Sequence, residues 1–113
     1  MKQNISIEQL NILDFKQQKN IATLFGQYGN CVRNDKDGNE YFNLGILAER
    51  INIGRMMELL EESCTVFNIM RYDDCNGKLW NIRGTLHRRE NRFLETLEPE
   101  LCDALWEAIK HLL

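Results

Sequence analysis

Two runs rich in β-branched and aromatic residues, Thr65 to Tyr72 and Lys78 to Arg83, stand on either side of Asn76-Gly77. Asn-Gly supplies the positive φ angles that a tight hairpin turn demands, so the two runs are predicted to pair as antiparallel strands. Alternation puts Val66, Met70 and Tyr72 on one face of this hairpin and Phe67 and Ile69 on the other. Apolar residues on both faces predict a hairpin covered on both sides, as in a sheet with helices against it.

Helical spacing appears elsewhere in the chain. Ser6 with Gln9, and Asp14 with Gln17, have the form of capping boxes, so two helices are expected to start close together and the first must be short. Ile21, Leu24, Phe25 and Tyr28 then share a face, and Gly29 is placed to end a helix over 15–28. Asn52 is a good N-cap for a helix over 53–63, where Ile53, Met56, Met57 and Leu60 line one side and Arg55, Glu58, Glu61 and Glu62 the other. Pro99 suits a first helical turn, and Leu101, Leu105, Ala108, Ile109 and Leu112 form an apolar stripe over 99–112.

Between the helices over 15–28 and 53–63, Cys31-Val32-Arg33 and Tyr41-Phe42-Asn43-Leu44 flank a run of turn-forming residues, Asn34 to Asn39, which predicts a first hairpin over 30–44. The acids of that run do not make a calcium loop. With Gly38 at the glycine position of an EF-hand, Arg33 and Leu44 would fill the first and last ligand positions. The order is therefore helix, hairpin, helix, hairpin, helix: a single small α+β domain spanning 1–113, with antiparallel strands packed by helices. Residues 84–96 receive no secondary structure from this reading.

A chain of 113 residues can bury a core without metal or disulfides, and 43% hydrophobic with 27% charged residues is ordinary for a globular protein. The longest apolar runs are far short of the ~20 residues that cross a bilayer. Four scattered cysteines, Cys31, Cys64, Cys75 and Cys102, without a CxxC pair or a leader-like segment, suit a reducing cytoplasm, with every thiol free. Cys64, Cys75, His87 and Cys102 lack the closely spaced pairs of structural zinc, so neither metal nor cofactor is expected.

The only histidines, His87 and His111, do not single out a nucleophile, and neither phosphate-cradling glycine motif occurs. No enzyme is expected. Net charge is −3, which disfavours general attraction to nucleic acid. A helix-turn-helix could be drawn through 44–62, but Glu58, Glu61 and Glu62 would face the duplex. The positive residues gather in one window, where Arg83, Arg88, Arg89 and Arg92 accompany His87 with Glu90 as the only acid. Arginine forks there could bind carboxylates or phosphates, or simply pair with acids of the same chain.

Ile53-Gly54-Arg55-Met56-Met57-Glu58-Leu59-Leu60 and Glu100-Leu101-Cys102-Asp103-Ala104-Leu105-Trp106-Glu107-Ala108 together resemble small proteins carried by phages and prophages of Gram-positive bacteria. The likeness covers 51–113 and brings no catalytic residues with it. It implies a protein of the host cytoplasm that binds a host protein stoichiometrically, a CRISPR nuclease or another defence component, as an anti-CRISPR does. The contact residues expected are the acids Glu58, Glu61 and Glu62 and the arginines Arg83, Arg88, Arg89 and Arg92. A regulator that binds nucleic acid is the alternative.

Overall fold

The computed structural model describes residues 1–74, 77–87 and 92–113. The chain is α+β, with helices and antiparallel sheets, and it divides into two compact units. One unit comprises residues 4–52 with Leu113; the other comprises 1–3 and 53–112.

The first unit contains α1 (Ile7–Asn11), α2 (Phe15–Leu24), α3 (Tyr28–Cys31), β1 (Val32–Asn34), β2 (Glu40–Phe42) and α4 (Leu44–Arg50). Both capping boxes form. The Gln9 N–H donates to Ser6 Oγ at 3.2 Å and the Ser6 N–H to Gln9 Oε1 at 2.8 Å, and Asp14 and Gln17 repeat the exchange. Helix α2 ends earlier than its apolar stripe predicts. Gly26 takes φ 67°, the Gln27 N–H reaches back to Ala22 O at 2.7 Å and the Gly26 N–H to Thr23 O at 3.0 Å. This is a Schellman stop, and Tyr28 starts the separate α3 instead of closing α2.

Strands β1 and β2 pair antiparallel, Val32 opposite Phe42, around a loop in which the Asp35 carboxylate accepts the N–H groups of Asp37 and Asn39 at 2.8 and 2.9 Å. The Asp35 carboxylate therefore serves the turn. Leu44 belongs to α4 and not to the hairpin, because Asn43 caps that helix by accepting the Ile46 N–H at 3.1 Å. Asn4 joins the far end of α4, donating to Ala48 O and Glu49 O at 3.3 and 3.0 Å.

The second unit contains α5 (Ile53–Ser63), β3 (Cys64–Asp74), β4 (Gly77–Leu86), β5 (Arg92–Glu98) and α6 (Leu101–Lys110). The strands form one antiparallel sheet in the order β3-β4-β5, with Ile69 opposite Ile82 and Ile82 opposite Thr96. Residues left unassigned by sequence reading prove extended here: β4 continues to Leu86, and 92–98 is a third strand.

Helix α6 packs on β4 and β5 and lies beside α5. Thr96 Oγ1 donates to Ala104 O at 2.8 Å, which ties the helix to the sheet inside the core. Met56, Leu60, Leu105 and Ile109 are fully buried, as their spacing predicts, and Cys102, Ala104, Trp106 and Ala108 widen the buried side of α6 beyond a single stripe.

One close approach shapes the sheet. The register of β3 against β4 shifts between Cys64 and Val66, and a Cβ added at Gly84 would lie 2.9 Å from Cys64 Sγ and 3.2 Å from Val66 O. Only glycine lets the bulge lie down on β4.

Candidate functional site

Alternation sorts the second unit's sheet into two unlike faces. Phe67, Ile69, Ile82, Gly84, Leu94 and Thr96 occupy the face that carries α6, and all are buried or half-buried. On that side the Arg71 guanidinium lies 5.3 Å from the ring centre of its cross-strand neighbour Trp80. On the opposite face the outer strands β3 and β5 are open, while Asn81 of the middle strand is buried and Leu79 and Thr85 are half-buried. Val66 is 54% exposed, Phe93 59% and Leu97 51%, and Met70 and Tyr72 are exposed beside them. The hairpin is thus covered on one side and not on both: Val66, Met70 and Tyr72 have the alternation expected of them and face outward.

Across the middle of the open face, Arg83 Nε stands 3.3 Å from Glu95 Oε2, both about half exposed, with Asn68 in the same row. Asn81, in the next row, is 1% exposed; its Nδ2 donates to Thr96 O at 3.0 Å and to Glu95 Oε1 at 3.3 Å. Its Oδ1 is a buried acceptor that meets no donor.

The seven residues marked by sequence reading fall in different places. Glu58, Glu61 and Glu62 are exposed on α5, above buried Met56 and Leu60, with Arg55 salt-bridged to Glu58. Helix α2 carries Lys16 and Lys19 and no acid, so an acidic helical face belongs to α5. Arg83 is on the open sheet face and bound to Glu95, whereas Arg92 is opposite Leu86 and shares the parity of the covered face. Arg88 and Arg89 lie outside the described residues, as do Cys75 and Asn76 of the predicted turn. The two described arginines are therefore not neighbours on one face. The open apolar face went unread because Phe93 and Leu97 belong to a strand that sequence reasoning did not assign.

Reactive groups are held back. Cys31, Cys64 and Cys102 are free thiols and buried. Burial raises the pKa of each, that of Cys102 to about 11, with Lys2 opposing and Asp103 and Glu100 adding to the shift. A thiol kept protonated is a poor nucleophile and a poor metal ligand. Among the described residues, no three His, Cys, Asp or Glu side chains converge as a metal site would require, and no helix is long and apolar enough to cross a membrane. A shallow hollow in the first unit, between Asn4 to Ile7 and Gly45, Ala48 and Glu49, has Glu49 as its one ionisable side chain. Compared with known proteins, the chain matches no family model, no curated protein and no solved structure.

Proposed function

We propose that the protein acts by occupying another protein, as a small inhibitor of a bacterial defence system of the anti-CRISPR kind. The observation that carries this reading is the acidic outer side of α5, where Glu58, Glu61 and Glu62 stand exposed on a helix whose inner side is locked into the core by Met56 and Leu60. A rigid row of carboxylates suits the cationic groove of a nucleic-acid-binding partner, because complementary potentials raise the association rate and reject wrong partners. The partner class, a host defence protein, comes from the resemblance of 51–113 to phage-borne proteins. The pairing of Arg83 with Glu95 spends that guanidinium within the chain, which weighs against the alternative of a nucleic-acid regulator.

The test is plaque formation by a targeted phage on bacteria carrying an active CRISPR nuclease, with and without this protein. Wild type is expected to restore plaques, and the triple variant Glu58→Lys, Glu61→Lys, Glu62→Lys to lose most of that effect while keeping its fold. Binding of the purified protein to duplex and single-stranded nucleic acid at physiological salt is measured in parallel. Sub-micromolar affinity there, without protection of the phage, overturns the inhibitor reading and installs the regulator.

A further inference from the structure

Residues 2–5 bond in turn to the ends of three helices. Lys2 Nζ donates to Asp103 Oδ1 at 2.7 Å, in the first turn of α6. Gln3 O accepts the N–H of Ile53, the first residue of α5, at 3.0 Å. Asn4 Nδ2 donates to Ala48 O at 3.3 Å and to Glu49 O at 3.0 Å, both in the last turn of α4, and the Ile5 N–H donates to Ile51 O at 3.3 Å, just past that turn. The ends of a helix leave backbone groups that the helix cannot pair, and here α4 and α5 draw their partners from the same short segment. Asn4 also bridges Asn52 antiparallel, so Gln3 to Ile5 and Ile51 to Ile53 form a small two-stranded ladder.

We infer that residues 2–5 are a latch that couples the end of α4 to the start of α5: the segment seats or releases as one piece, and both helix ends order or fray with it. The reason is spacing. Neighbours along a ladder are only about 3.3 Å apart, and a hydrogen bond is lost once its atoms draw beyond about 3.5 Å. A displacement that takes Asn4 off α4 therefore carries Gln3 O off Ile53 and the Ile5 N–H off Ile51.

The latch is held lightly. The Lys2 and Asp103 side chains are 32% and 30% exposed, so salt screens their attraction, and ion pairs of this kind are weak. Two of the bonds at the ladder are 3.3 Å long, beyond the usual range. Openings of such small segments occur far below the cost of unfolding the whole chain. What the latch governs is the first turn of α5, the helix whose later turns carry Glu58, Glu61 and Glu62. The coupling lies inside the chain and needs no partner to be observed.

Native-state amide exchange of the full chain, read residue by residue by NMR, is the test. In wild type the Ile5 and Ile53 amides should be similarly protected, and both less than Ile82, which is buried in the middle strand β4. Asn4→Ala takes away side-chain bonds to α4 and leaves every backbone bond in place. It should nevertheless lower protection at Ile53 as well as Ile5 by about fivefold, the factor that one hydrogen bond is worth. Lys2→Met should lower protection of the same two amides by about twofold, as should 0.5 M salt added to wild type, and Lys2→Arg should keep wild-type values. Ile82 should not respond to any of these changes. Uncoupled bonds predict otherwise: Asn4→Ala would then reach Ile5 alone, and Lys2→Met neither amide. Protection at Ile53 that survives Asn4→Ala or Lys2→Met unchanged overturns the inference. So does an equal loss at Ile82 in either variant, because the segment would then open only with the whole chain.

Discussion

Replacing Gly84 by alanine puts one methyl group where β3 bulges onto β4. The new Cβ would lie 2.9 Å from Cys64 Sγ and 3.2 Å from Val66 O, closer than carbon atoms normally approach either. Cys64 is buried, so its sulfur has little room to turn away. Overpacking of this kind costs about 1 to 3 kcal/mol. Removing a glycine from a strand returns about 0.5 to 1 kcal/mol through the unfolded chain. The net expectation for Gly84→Ala is a loss of up to about 2.5 kcal/mol.

Because the shorter of the two contacts is with sulfur, Cys64→Ala should relieve part of the strain. The double variant is then expected to be more stable than additivity allows by about 0.5 to 1.5 kcal/mol, with the Val66 carbonyl keeping the remainder. Urea denaturation followed by tryptophan fluorescence reads this unit directly, since Trp80 and the buried Trp106 both belong to it. A Gly84→Ala chain more stable than wild type, or strict additivity with Cys64→Ala, would refute the bulge packing described above.

Leu105→Ala should cost about 2 to 5 kcal/mol in the same denaturation experiment, because the side chain is wholly buried. Thr96→Val keeps the shape but removes the hydroxyl that reaches Ala104 O at 2.8 Å, and should cost about 1 kcal/mol. Cys102, with its pKa raised to about 11 in the folded chain from an ordinary 9.0, holds its proton longer folded than unfolded. Its contribution is thus complete below the unfolded pKa and lost as pH climbs from about 9 through 11, a decline that Cys102→Ala should flatten in pH-dependent unfolding. In native protein near neutral pH, Cys31, Cys64 and Cys102 should react with a thiol reagent far more slowly than after unfolding in denaturant, as timed absorbance measurements will show.

Local chemistry made the helix starts and the hairpin strands legible. Ser6 and Asp14 cap with the partners three residues on, and the 3.6-residue repeat of Met56, Leu60, Leu105 and Ile109 sets which sides of α5 and α6 are buried. Such signals act over one or two turns, so they survive without knowledge of the rest of the chain. Where two local signals compete, the reading slips: Tyr28 extends an apolar stripe, but Gly26 in the left-handed region ends α2 first.

What tertiary structure alone decided is the third strand and the single-sidedness of the sheet. Arg92 to Glu98 alternates, yet it has apolar residues at both parities, Phe93 and Leu97 against Leu94, beside a dense run of arginines. Only pairing with β4 makes it a strand, and the hydrogen bonds of that ladder come from residues distant in sequence. Likewise nothing in the order of residues says that Phe67 and Ile69 meet helices while Val66 and Met70 do not. Both faces carry enough apolar surface to be buried, and the choice rests on where the Thr96 hydroxyl and the broad apolar side of α6 come down. The acidic row of α5 was readable from spacing, because a helix fixes its own faces; the open sheet face was not, because a sheet's faces are assigned by whatever packs on one of them.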